Sequence, residues 1–282
     1  MKKTFLFLGV LGISLSAIFV RGASAPSLVL AFYRMGFSAL LLLPYCFHKC
    51  RRELRGLHAK DWLLAGLSGL FLGLHFAAYF ESLRFTTIAS SVVLVDAEVI
   101  FVAAGMYLLT KERLSPLAGL GALLALGGSA VIASGDFALG GTAFYGDLLA
   151  LSGALFMAVY TMIGRLLRQR LSTAVYTLLV YIASALTLLI ALLLSNQPLT
   201  GHGPEAMWAG LGMAVFCTLL GHSVFSWGLK YFPASYISTV KMMEPIFASL
   251  LGLLIFAEAP GFFTLLGGVV VLAGVWLCAR HT

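Results

Sequence analysis

Ten almost unbroken apolar runs, each about twenty residues long, follow one another along this chain with only short polar breaks. That feature leaves few folds open. A run of this length crosses the hydrocarbon of a bilayer as a helix, because a helix satisfies its own backbone where no water can. A spanning sheet would need alternating polarity, and these runs are apolar throughout. The boundaries fall near 4–20, 27–47, 61–83, 86–109, 116–134, 144–165, 172–195, 205–229, 234–256 and 262–280. Pro26, Pro116, Pro204, Pro233 and Pro260 stand near helix starts, where a missing N–H costs little. Gly135, Gly140-Gly141 and Gly201-His202-Gly203 mark connections. Ten spans use nearly all of the 282 residues and leave no room for a sizeable soluble domain. Composition agrees: 61% of residues are hydrophobic and 10% charged, against roughly 45–50% and about 25% in soluble domains. The fold class expected is an all-α integral membrane protein embedded in a lipid bilayer.

The formal net charge is +7. In a soluble protein that could point to nucleic acid; here the basic residues set topology, and no aromatic-basic interleaving or nucleic-acid motif is present. No nucleic-acid partner is expected. The N-terminus imitates a signal peptide, with Lys2-Lys3, an apolar run from Phe5 to Val20, and Ala23-Ser24-Ala25. Retention is expected, because helix count and charge asymmetry both need this segment. With a cytoplasmic N-terminus, Lys2, Lys3, Lys49, Arg51, Arg52, Arg55, Lys60, Lys111, Arg113, Arg165, Arg168, Arg170, Lys230 and Arg280 fall inside. Only Arg21 and Arg84 fall outside, while Arg34 and Lys241 lie within helices. The expectation is a multi-pass protein of the cell (inner) membrane with both termini cytoplasmic. Cys46, Cys50, Cys217 and Cys278 lack metal or disulfide spacing and are read as free thiols.

The chain repeats itself at an offset of 146 residues. Trp62 maps on Trp208, Gly66 on Gly212, Leu83 on Leu229, Glu98 on Glu244, Ile100-Phe101 on Ile246-Phe247, Glu112 on Glu258, Gly121 on Gly267 and Gly128 on Gly274. Thirteen identities fall without a gap in the 67 positions from 62 to 128. Chance similarity between Leu-rich helices does not explain two glutamates kept fourteen residues apart in both copies. Five helices per half, an odd number, invert the second copy. Lys111-Glu112-Arg113 lies inside; its mate Ala257-Glu258-Ala259 lies outside and has lost both basic residues. Two inverted five-helix repeats, 1–138 and 139–282, are expected. Such repeats are frequent in secondary transporters, with the solute near the midplane between halves.

The pattern resembles the EamA-type, two-repeat members of the drug/metabolite transporter superfamily. The resemblance rests on Ser82-Leu83-Arg84-Phe85-Thr86-Thr87-Ile88-Ala89 and Leu109-Thr110-Lys111-Glu112-Arg113-Leu114-Ser115 in the first half. In the second it rests on Leu229-Lys230-Tyr231-Phe232-Pro233-Ala234-Ser235, Glu244-Pro245-Ile246-Phe247-Ala248 and Phe256-Ala257-Glu258. It covers the whole chain, and Glu-Pro-Ile-Phe is its most specific part. Val99 departs from the pattern by standing where the family would have proline, which predicts a straighter fourth helix than ninth. The resemblance implies a central cavity lined by helices three, four, eight and nine and the first helix of each half. It also implies alternating access without nucleotide hydrolysis.

Ionisable groups at bilayer depth are costly and normally face a cavity or a partner. Lys241 and Glu244, three apart on helix nine, share a face and form either a self-satisfied pair or a charged wall of the solute cavity. Asp96 and Glu98, two apart on helix four, point to different faces and cannot line one narrow cavity equally. Glu98, the repeat mate of Glu244, is expected at the centre, with Asp96 pairing with Arg34 or another basic group. His75, Tyr79 and Ser82 form a stripe on helix three that either lines a wet cavity or bonds neighbouring helices, with Glu81 near the outer end. His222, Ser226 and Trp227 on helix eight are the opposing wall; Trp227 suits stacking on a flat solute or anchoring at the interface. Arg34 is read as structural, and Glu112 and Glu258 as structural or gating residues. Gly119, Gly121, Gly127 and Gly128 with Gly267, Gly268 and Gly274 are packing faces. The substrate-binding set is thus Lys241, Glu244, Glu98, Asp96, His75, Tyr79, His222 and Trp227.

The sequence has no phosphate-binding Gly-x-x-x-x-Gly-Lys-Ser/Thr loop, no His-Glu-x-x-His and no Gly-x-Ser-x-Gly. No cofactor, metal site or catalytic residue is expected. The function expected is secondary transport of small polar metabolites, with export of amino acids or related compounds as the leading case. Two rivals are a membrane enzyme acting on lipid-linked substrates through Asp96, Glu98 and His75, and a non-transporting subunit whose buried charges pair with a partner. Proton or ion coupling through His75 or Glu98 and simple facilitated diffusion both fit, as do a monomer and a homodimer.

Overall fold

A computed structural model describes residues 2–110, 115–139 and 141–281. Lys111, Glu112 and Arg113 lie outside the described residues, as does the side chain of Cys278. The described chain is helical, and its helices form ten rods. These are α1 (Lys2–Ser14 and Ser16–Gly22), α2 (Ser27–Lys49), α3 (Ala59–Ser82), α4 (Ile88–Asp96 and Glu98–Thr110) and α5 (Pro116–Leu139). The second half contributes α6 (Gly141–Leu167), α7 (Thr173–Leu194), α8 (Pro204–Gly212, Met213–His222 and Ser223–Gly228), α9 (Ala234–Lys241 and Glu244–Phe256) and α10 (Phe262–Arg280). Seven of the ten satisfy length and hydropathy criteria for a membrane span; α5, α9 and α10 supply the shorter apolar helices.

The starts are set locally. Thr87 Oγ1 accepts from Ser90 N at 3.0 Å before α4, Ser172 Oγ accepts from Val175 N at 3.3 Å before α7, and Pro204 opens α8. At α3, Asp61 reaches back to the His58 N–H at 3.0 Å. Gly135, expected in a connection, is instead inside α5, which runs on to Leu139.

Packing across the halves follows a twofold axis. α3 packs along α6 and α7, while its mate α8 packs along α1 and α2; α4 leans on α6, and α9 on α1. α2 meets its own mate α7, and α5 meets its mate α10. With five rods per half, that axis lies in the membrane plane and the halves are inverted. The α5–α10 seam is made by Gly121, Gly128, Gly267 and Gly274. A Cβ at Gly274 would stand 2.5 Å from Gly121 O, and one at Gly128 would stand 2.7 Å from Gly267 O. Gly119 and Gly127 meet nothing there.

Three rods are not continuous α-helix. α8 winds as a π-helix from Met213 to His222, an uncommon geometry that often marks functional positions. α4 breaks at Ala97 and α9 at Met242-Met243, which are the same place in the two repeats. The α9 break has Pro245 beside it and the α4 break does not; both rods are interrupted, α4 over one residue and α9 over two. In both rods a tighter i→i+3 bond replaces the regular ladder: Ile100 N to Ala97 O at 3.0 Å and Met243 N to Val240 O at 3.3 Å.

Candidate functional site

The breaks in α4 and α9 face each other at the centre of the molecule. Around them lies a small polar cavity of about 20 Å³, lined by Arg34, His75, Tyr79, Asp96, Glu98, His222, Lys241 and Glu244 together with Ser16 and Phe76. Seven of the eight substrate-binding residues expected from sequence therefore meet in one place. Trp227 does not. It packs on Phe5 at 5.2 Å and Tyr231 at 4.9 Å, away from the cavity.

The breaks explain two departures from regular-helix expectations. Asp96 and Glu98 do line one cavity, because the chain bends at Ala97 between them. Lys241 does not pair with Glu244, because the helix stops between them. Lys241 instead forms an ion pair with Glu98, from the other half. Both groups are buried, with side chains 5% and 1% exposed, so this charged bond fastens α9 to α4 at the core.

Arg34 is fully buried and lines the same cavity. Its Nε donates to Thr218 Oγ1 at 2.9 Å and its Nη1 to Ser16 Oγ at 2.7 Å, while its guanidinium lies 4.1 Å from the Phe76 ring centre. The expected Asp96–Arg34 pair is not formed; among the described residues no carboxylate is within ion-pair reach of Arg34. Ser16 and Thr218 carry no charge and stand in apolar runs, so sequence alone did not select them. The break in α1 at Leu15 and the π-helix of α8 are what place them.

His75 Nδ1 contacts Gly153 O at 3.0 Å, so this nitrogen carries the proton and donates. Its ring stacks on Tyr79 at 5.8 Å and lies 6.5 Å from that of His222. Ser82 and Ser226 serve helix packing: Ser82 Oγ meets Ser91 Oγ at 2.5 Å, and Ser226 Oγ meets Tyr160 Oη at 2.9 Å. Of the enclosed side-chain atoms that line the cavity, Arg34 Nη2, Tyr79 Oη, Asp96 Oδ2 and Glu98 Oε2 make neither a hydrogen bond nor an ion pair among the described residues. Buried polar atoms are nearly always paired, so their clustering at one cavity has a meaning.

Each end of the molecule is tied across the halves. At one end Arg21 pairs with Glu258 at 3.3 Å and donates to Thr86 O at 3.0 Å, while Glu258 accepts the Ile88 N–H at the start of α4. Ala257, at φ 55°, turns the chain so that Glu258 reaches that helix start. Glu81 and Arg84 are 3.8 Å apart at this end. At the other end Arg170 pairs with Asp61 at 3.2 Å, and Glu53 accepts from Ser172 N at 2.6 Å. Cys46, Cys50 and Cys217 are free thiols.

The EamA-like transporter family matches this chain twice, over residues 3–134 and 144–280. The chain belongs to the EamA-like transporter family. It is similar to an uncharacterized transporter of Archaeoglobus fulgidus, 28% identical over 88% of this chain and 86% of that protein. It also resembles the uncharacterized transporter YyaM of Bacillus subtilis, 25% identical over 98% and 93%. A crystal structure 19% identical superposes with a TM-score of 0.73 over 99% of this chain and 96% of the other, which shows the shared fold. As an EamA family member the protein is a multi-pass membrane transporter and not an enzyme.

Proposed function

We propose that the protein carries small zwitterionic metabolites, amino acids and their close relatives, by alternating access around the central cavity. One observation carries this reading. The enclosed and unpaired atoms at the cavity have opposite character: Arg34 Nη2 and Tyr79 Oη can donate to a carboxylate, and Asp96 Oδ2 and Glu98 Oε2 can accept from an ammonium. Glu244, buried and without a bonded partner among the described residues, adds a further acceptor.

A cavity of about 20 Å³ has room for roughly one water. Ligand pockets are typically hundreds of Å³. The described conformation is therefore the closed one, and the halves 1–138 and 139–282 separate at one end or the other to admit solute. The tie at Arg21–Glu258 closes one end and the ties at Asp61–Arg170 and Glu53–Ser172 close the other. Three carboxyl groups line the cavity against two cations, and a zwitterion brings no net charge, so one proton or one inorganic cation balances the set. That imbalance supports coupling to a proton or cation. The end rich in Arg and Lys is cytoplasmic under the positive-inside rule, in the cell (inner) membrane, with both termini on that side. One chain supplies the whole cavity, so a monomer suffices.

A thermal-shift screen of purified protein against a metabolite library tests this directly, since a solute bound to the folded state raises its melting temperature. Free amino acids should raise it, and their N-acetyl and carboxamide derivatives should not. Stabilisation by uncharged or purely cationic solutes alone would remove the zwitterion reading.

A further inference from the structure

A second, larger cavity lies on the lipid-facing side of the bundle. This groove of about 690 Å³ runs between α2, α3 and α7 and is walled by Leu43, Phe47, Trp62, Ile182 and Leu186. Arg51 and Arg55 stand at its mouth, with Leu54 between them turned into the groove. They belong to a short helix, Arg51–Arg55, just beyond the end of α2, and four residues apart they share one face. Phe47, Trp62 and Leu186 are each more than half exposed. The wall suits a hydrocarbon chain and the mouth suits an anion.

The repeat makes the opening meaningful. Trp62 and Gly66 have mates in Trp208 and Gly212. At Gly212 the site is filled, since a Cβ there would lie 2.8 Å from the ring of Phe19. At Gly66, on the groove, a Cβ would meet nothing within 4 Å. The chain therefore covers this glycine in one half and leaves it open in the half that carries the arginine pair.

We infer that the groove between α2, α3 and α7 binds an anionic phospholipid, one acyl chain lying over Gly66 and Trp62 and the phosphate held by Arg51 and Arg55. Basic residues at the edge of an apolar groove between membrane helices recognise headgroups by charge, while the acyl chain contributes burial. The inference does not depend on which solute the central cavity takes.

The test uses Trp62 as its own reporter. In the full chain, Trp208, Trp227 and Trp276 are replaced by Phe, and quenching of Trp62 is followed in phosphatidylcholine vesicles containing brominated-chain phosphatidylglycerol or brominated-chain phosphatidylcholine. Half-quenching should need a mole fraction of the glycerol lipid lower by on the order of tenfold. Arg51→Gln with Arg55→Gln should remove that preference, and Gly66→Leu, at a position where a Cβ meets nothing within 4 Å, should reduce quenching by both lipids. Equal quenching by the two lipids in the parent overturns the inference, as does a preference that survives the double substitution. Dimerisation in native mass spectra that shields Trp62 from both lipids alike would make the occupant a second copy, and also overturns it.

Discussion

The two broken rods, α4 and α9, are repeat mates, and the five residues around each break are where their charges differ. Val95, Asp96, Ala97, Glu98 and Val99 in α4 stand against Lys241, Met242, Met243, Glu244 and Pro245 in α9. The glutamate is common to both. In each rod it opens the second helical segment, where the positive end of the helix dipole favours a carboxylate. The residues before it differ, and α4 carries an acid, Asp96, while α9 carries a base, Lys241. The comparison separates two tasks. The shared glutamates go with the shared break, and the unlike charges Asp96 and Lys241 make the two sides of the cavity chemically different. A site with unlike sides suits a solute with unlike ends.

The largest effect should come from cutting the bond between the two rods. Lys241→Met leaves Glu98 buried and unpaired, and loss of one partner of a buried pair costs about 3–5 kcal/mol. Thermal unfolding in detergent should show a melting temperature lowered by many degrees, with Glu98→Gln in the same chain restoring most of it. An unchanged melting curve for Lys241→Met would mean that the pair does not hold α9 to α4. Next in size is a proline contrast. Val102→Pro, inside the second segment of α4, should cost about 3 kcal/mol. Val99→Pro, the mate of Pro245 in the first turn, should cost under about 1 kcal/mol. Equal losses at the two positions would show that α4 is not broken where α9 is.

Glu244→Gln should lower solute flux by about tenfold, the value of one hydrogen bond to a charged group, while the melting temperature moves little. Unaltered flux would take the shared glutamate of α9 out of the site. The smallest effect belongs to the turn after α9. Ala257→Gly relieves a left-handed residue and should stabilise the fold by about 1 kcal/mol in the same melting assay.

Much of this was legible in the sequence, and the limit is physical. Span lengths, loop charges and the 146-residue offset follow from bilayer thickness and duplication, so the ten rods and their inversion could be read directly. The buried charges could be read as well, because they are rare at that depth. Their partners could not. Regular-helix geometry allowed Lys241 to pair with Glu244 or to share a cavity wall with it, and set Asp96 apart from Glu98; Lys241 and Glu244 share the wall without pairing, and Asp96 joins Glu98 there, because α4 and α9 break between those residues. The α4 break lacks a proline to announce it. Ser16 and Thr218 were hidden for a related reason, since a hydroxyl in an apolar run is unremarkable until a broken α1 and a π-helical α8 bring both to Arg34. Trp227, grouped with His222 and Ser226 as one wall, instead packs on Phe5.

Counterflow in proteoliposomes distinguishes a zwitterion site between the two breaks from a site for any other solute. A labelled amino acid, its carboxamide and its N-acetyl derivative are compared in the parent and in Asp96→Asn, with folding of the variant checked by its melting temperature. Exchange of the free amino acid should be at least about tenfold faster than that of either derivative, as loss of one charged contact would give, and should be lost in Asp96→Asn. Equal rates for the three compounds, or full exchange in folded Asp96→Asn, would rule out the zwitterion site.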